Sequence, residues 1–113
     1  QTCALPIWAE LETAKRMGTQ VTLIVLQNQI LGYQWHAEEA MYGGHTDACQ
    51  LSPVDHAAIA HACGCEGVRV EKPADFKPVL EKALASNTAT LIDVLIDPKA
   101  YPPITLYEGK LAF

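Results

Sequence analysis

The sequence predicts an α/β domain: a parallel sheet with helices on both faces. Three observations carry that prediction. Residues 21–26 and 91–96 are strand-length apolar runs rich in β-branched side chains, with little polar alternation, as in strands covered on both faces. Segments with helical spacing separate them from one another and from a shorter strand at 68–70. The resulting order is helix, strand, long loop, helix, strand, helix, strand and tail, and such alternation gives parallel strands joined by right-handed crossovers.

Each element has its own warrant. Trp8, Leu11, Ala14 and Met17 recur in three-residue steps, Glu12 can pair with Lys15 or Arg16, and Gly18 supplies the stop. The strand at 21–26 follows. A polar and aromatic stretch over 34–50, broken by Gly43-Gly44, is too long for an ordinary connection and predicts a functional loop. Ser52-Pro53-Val54-Asp55 predicts a second helix, with Ser52 as cap, Pro53 in the first helical position and Asp55 as the capping-box acid. Val54, Ala57, Ala58 and Ala62 would form its narrow apolar face, and Gly64 would end it. From Asp75, the residues Phe76, Val79, Leu80, Ala83 and Leu84 mark the third helix, with Pro78 in its first turn. Asp93 inside the last strand predicts a buried carboxylate near a strand end or held by hydrogen bonds. Pro102-Pro103 and three aromatics predict a C-terminal arm over 98–113.

Composition narrows the function classes. The 113 residues are 50% hydrophobic and 19% charged, which suits one globular domain and not a disordered or collagen-like chain. Thirteen acidic against eight basic side chains disfavour a nucleic-acid-binding face, and no apolar run reaches membrane-spanning length. The expectation is a cytoplasmic protein with reduced thiols and neither nucleic-acid nor membrane partners. His56, His61, Cys63 and Cys65 lie close in sequence, but their spacing is too cramped for paired zinc ligands. The two histidines are expected at the surface.

Polar amides at the carboxyl end of a buried strand are poor packing residues, and in open α/β sheets ligands bind outside that end. Gln27-Asn28-Gln29-Ile30-Leu31-Gly32-Tyr33 occupies this place. Together with Ala9-Glu10-Leu11-Glu12-Thr13-Ala14 and the strand before it, the stretch resembles the diphosphate-binding domain of thiamine-diphosphate enzymes. The branch is the acetolactate-synthase-like one, which includes benzoylformate-type decarboxylases. The later Ser-Pro-x-Asp helix start, the Ala60 to Gly64 segment and Thr90-Leu91-Ile92-Asp93-Val94 extend the likeness. The resemblance implies thiamine diphosphate and Mg²⁺ as cofactors, with Asn28 and the Ile30 carbonyl as metal ligands. It implies that Asn28, Gln29, Leu31 and Gly32 form the turn against the diphosphate. It also implies a pyruvate-like 2-oxo acid substrate that loses CO₂, and a homodimeric or homotetrameric full-length enzyme.

Two departures accompany it. Gln27 stands where the family has the first Asn of a pair, and the family's Gly-Asp-Gly, whose aspartate would fall near Gln1, is missing. Gln1-Thr2-Cys3-Ala4-Leu5-Pro6-Ile7 matches the translation of a common sequencing-library adapter, CAG ACG TGT GCT CTT CCG ATC. Residues 1–7 are therefore expected to be non-native, residues 8–97 a partial cofactor-binding domain cut through its motif, and the piece inactive by itself. The alternative expectation is a noncatalytic, degenerate α/β interaction module. A nicotinamide-binding domain is disfavoured, because no Gly-x-Gly-x-x-Gly follows a strand.

Overall fold

The computed structural model describes residues 7–100. In chain order these form α1 (Ile7–Met17), β1 (Thr22–Gln27), α2 (Gly32–Tyr42), a 3₁₀ turn (Asp47–Cys49), α3 (His56–Ala62), β2 (Glu66–Val70), α4 (Pro73–Ala85) and β3 (Thr90–Leu95). The described chain divides into two units. One holds 7–27 and Val54–Ile96, and the other holds Asn28–Pro53 and 97–100.

The first unit is a three-stranded, wholly parallel sheet in the order β1-β3-β2. Successive side chains of a strand point to opposite faces, and the two cores follow from that rule. Leu91 on β3 packs with Leu11 of α1, Ala60 of α3, Cys65 and Ala89. Its neighbour Ile92 packs on the other face with Val70 and with Ala83 of α4, flanked by Phe76, Val79 and Leu80. Helices thus cover both faces, as the sequence predicts. The closest approach is at Gly67 of β2, where an added Cβ would stand 2.2 Å from the backbone oxygen of Ala57 in α3. Gly18 (φ +63°) and Gly64 (φ +78°) adopt the left-handed backbone expected of helix stops.

Several expectations need correction. β1 is not buried on both faces: it lies at an edge of the described sheet, and its outward residues Ile24 and Leu26 are 44% and 63% exposed. The central strand is β3, buried from Thr90 to Asp93. The stretch 34–50 is not one long loop but mostly α2, which ends at Gly43 in the left-handed region (φ +72°). α3 begins after Asp55, whose side chain accepts from the Ala58 amide at 2.8 Å, so Ser52 and Pro53 lie outside the helix. The buried residues of α3 are Ala57 and Ala60, whereas Ala58 and Ala62 face solvent. α4 starts with Pro73 in the first turn, which leaves Pro78 inside the helix, and Leu84 is exposed. Helix α1 takes in Ile7, and the expected arm beyond Ala100 and the first six residues lie outside the described residues.

Candidate functional site

The second unit contains all the residues singled out as cofactor contacts. Asn28 follows the last residue of β1, and its Oδ1 accepts from the Ile30 amide at 3.2 Å, closing a side-chain turn two residues long. Gln29 takes the left-handed conformation (φ +60°), the one non-glycine residue to do so among the described residues. An antiparallel bridge between Ile30 and Gln50 pins the turn. In it the Leu31 amide donates to the Cys49 carbonyl at 2.8 Å, and the Leu51 amide donates to the Gln29 carbonyl at 2.9 Å.

Gly32 then opens α2, with a Cβ at this position lying 3.1 Å from the Asn28 Nδ2. A glycine therefore lets the Asn28 amide lie against the helix start. Leu31 is the N-cap and offers no side-chain bond, and the first turn carries no acidic residue. The first satisfied helical amide is that of Trp35, which donates to the Leu31 carbonyl at 2.8 Å. Among the described residues no hydrogen bond uses the amides of Gly32, Tyr33 and Gln34, and none reaches the Ile30 carbonyl. The turn thus brings together two oxygen acceptors, Asn28 Oδ1 and Ile30 O, and three amides at a positive helix end. It contains no carboxylate of its own.

Gln29 stores backbone strain, since a non-glycine residue in the left-handed region costs about 1 kcal/mol or more. Gln29→Gly is expected to raise stability by up to about 1 kcal/mol, read from urea unfolding; a lower midpoint would remove the strain argument.

Farther along α2, Glu38 is tied to the loop after the helix. Its carboxylate accepts from Gln34 Nε2 (2.5 Å), the Thr46 amide (2.7 Å) and the Cys49 thiol (3.5 Å). The Gln34 amide foremost, then the Thr46 amide, holds its carboxyl well below the ordinary 4.5, at about 2. The ionised form is the one favoured by folding. Its contribution is present in full above the ordinary value and is lost as pH falls toward 2. Glu38→Gln should therefore lower the unfolding midpoint at neutral pH, and the gap to the parent should close between pH 4.5 and 2. A pH-independent gap in thermal melts would contradict this. On the same helix Trp35 stacks on His45 with ring centroids 3.4 Å apart, and His45 Nδ1 lies 2.6 Å from Glu39 Oε1. His36 is buried, with Nε2 3.0 Å from the Pro98 carbonyl. These contacts staple Trp35, His36, Glu38 and Glu39 of α2 to neighbouring residues of the same unit.

In the sheet unit, the Gln27 side chain does not point to an open site. Its Nε2 donates to Asp93 Oδ1 and, at 3.1 Å, to the Val54 carbonyl. Asp93 is fully buried in mid-strand, and its Oδ2 accepts from the His56 amide at 3.3 Å. Arg69 Nη1 lies 4.0 Å from the same oxygen and 3.9 Å from Asp55. His56 is half-buried at the head of α3 instead of at the surface, while His61 is exposed. Cys65 is buried, its thiol donating to the Leu11 carbonyl at 3.3 Å, and desolvation pushes its pKa up, which makes it a packing thiol.

The sequence pattern of the family described as "Thiamine pyrophosphate enzyme, C-terminal TPP binding domain" matches residues 3–94. The chain belongs to this family. Among relatives of the TPP-binding domain, the acetolactate synthase large subunit IlvG of Mycobacterium tuberculosis is 35% identical over 95 residues, covering 82% of this chain and 17% of that protein. The mitochondrial acetolactate synthase catalytic subunit of Saccharomyces cerevisiae is 33% identical over 104 residues, covering 88% and 14%. A Rhizobium meliloti protein named "Probable sulfoacetaldehyde acetyltransferase" is 29% identical over 91 residues, covering 74% and 15%. The chain spans less than a fifth of the length of the curated relatives it matches. Among the described residues, no helix of this TPP-binding domain is long and apolar enough to cross a membrane.

Proposed function

We propose that this TPP-binding domain anchors the diphosphate and Mg²⁺ of thiamine diphosphate at the turn 28–32. We propose further that it is the C-terminal part of a 2-oxo acid decarboxylase or carboligase of the acetolactate-synthase kind. The observation that carries the reading is the uncapped start of α2. Three amides with no hydrogen bond among the described residues (Gly32, Tyr33, Gln34) follow a strained Gln29 and two oxygen acceptors. Helix N-termini with free amides favour phosphate, and Mg²⁺ takes hard oxygens from carbonyls, amides and phosphate together. Asn28 Oδ1 and the Ile30 carbonyl would hold the metal, while Gln29, Leu31 and Gly32 would shape the cradle for the diphosphate.

Bound thiamine diphosphate supplies the electron sink for cleaving the bond next to a 2-oxo acid's carbonyl. The residues of this chain orient and neutralise. The α2 amides would donate to diphosphate oxygens, Gly32 would let that group approach the backbone, and Asn28 would hold the metal that offsets its charge. A carboxylate ligand would come from the family's Gly-Asp-Gly, which residues 1–7, proposed here to be non-native, do not supply. Codons at positions 1–7 that differ from the adapter's would remove that part of the proposal. A pyruvate-like substrate, an assembly of two or four subunits and a cytoplasmic location belong to the same reading. Calorimetry of thiamine diphosphate with and without Mg²⁺, on the enzyme containing this domain, tests it. Binding that ignores Mg²⁺ would overturn it.

One observation favours the noncatalytic alternative. The Gln27 amide, at the place of the family's first Asn, is engaged by Asp93 and the Val54 carbonyl. Failure of the same enzyme to bind the cofactor would favour that alternative.

A further inference from the structure

We infer that Asp93 is a positioning residue: its buried carboxylate holds the Gln27 side chain so that the two ends of the 28–53 segment stay joined. Residues 27 and 54 are where the chain leaves the sheet unit and returns to it. The Gln27 amide bridges them, one donor contact going to the Val54 carbonyl at 3.1 Å and the other to Asp93 Oδ1. The second carboxylate oxygen takes the amide of His56, two residues beyond the point of return. One fully buried group on the central strand therefore ties down the departure of the chain and its return.

The location argues for more than stability. A charge in a core strand is costly, and an apolar side chain of similar volume is often equal or better there. Asp93 has its desolvation offset by Gln27, the His56 amide and the Arg69 guanidinium 4.0 Å away. What that arrangement gives, and an apolar residue would not, is a defined anchor for both ends of the segment that begins with Asn28. Misplacing a binding group by a fraction of an ångström is enough to weaken a site. That consequence for the cofactor rests on the proposed role of the 28–32 turn, whereas the bridge itself does not.

The bridge depends on the summed length of its two side chains, and this gives the test. Gln27→Asn shortens one partner by a methylene, and Asp93→Glu lengthens the other by the same amount. Amide hydrogen exchange by NMR on the 113-residue chain reads the outcome. Gln27→Asn, at a half-buried strand end, should leave the sheet folded and speed exchange at the hydrogen-bonded Ile30, Leu31 and His56 amides by roughly tenfold or more, the loss of a hydrogen bond to a charged group. The double variant Gln27→Asn/Asp93→Glu should return those rates toward the parent, with α4 amides unchanged throughout. Unchanged exchange at the turn in Gln27→Asn would overturn the inference. So would a double variant no closer to the parent than Gln27→Asn itself. A general loss of protection across β3 and α4 without rescue would reduce Asp93 to a core residue. Rescue of exchange, combined with no Mg²⁺-dependent thiamine diphosphate binding by the longer enzyme, would uphold the bridge and remove the cofactor reading alone.

Discussion

Gly67→Ala is expected to remove a large part of the sheet unit's stability. The new Cβ would lie 2.2 Å from the Ala57 oxygen, 2.8 Å from its carbonyl carbon and 2.9 Å from its Cα. All three are backbone atoms, so no side-chain rotation relieves the clash, and α3 must move off β2. Overpacking a core ordinarily costs 1–3 kcal/mol, and an unyielding backbone puts this change at about 3 kcal/mol or more. Against the 5–15 kcal/mol that holds a typical domain, that is a large fraction. Urea unfolding followed by circular dichroism measures it. Gly44→Ala, whose Cβ meets nothing within 4 Å, is the matched control. Equal midpoints for the two variants would mean that α3 and β2 are not packed as described.

Asn28→Ala is expected to lower Mg²⁺-dependent affinity for thiamine diphosphate in the longer enzyme by more than about 100-fold. Removing partners that merely orient metal ligands already costs 10–100-fold, and this change removes a proposed ligand. Folding should survive, because Asn28 is half-buried and its side-chain bond to Ile30 is local to the turn. Asn28→Asp keeps an oxygen in place and should retain Mg²⁺ dependence. Titration calorimetry separates the outcomes, and an unchanged affinity in Asn28→Ala would take Asn28 out of the metal site.

Much of the sheet unit was legible because its signals are periodic. Phe76, Val79, Leu80 and Ala83 face the core at helical spacing, and Leu91 and Ile92 divide between the two cores as strand alternation requires. The turn 28–32 was legible because polar amides after an apolar strand have little reason to be there otherwise. α2 was not: its sequence carries no apolar stripe, His36 is its one buried residue, and its N-cap is Leu31. Nor does Ser52-Pro53-Val54-Asp55 say which of two capping side chains will start α3. Tertiary contact decided for Asp55, which also lies near Arg69. No sequence signal marks Gln29 for the left-handed backbone it adopts beside the Asn28 side chain that accepts from Ile30. Asp93 was visible as an anomaly, but its partner Gln27 lies 66 residues away, beyond the reach of any local pattern.

The edge position of β1 bears on how the polypeptide behaves in a tube. Among the described strands, β1 pairs with β3 alone and presents Ile24 and Leu26 to water beside an open ladder of backbone donors and acceptors. Nothing in its sequence from Thr22 to Leu26 blunts that edge, since it has neither a charge nor a proline. Such an edge is a template for another strand. Self-association of the 113-residue chain should therefore grow with protein concentration and fall when a lysine replaces Leu26.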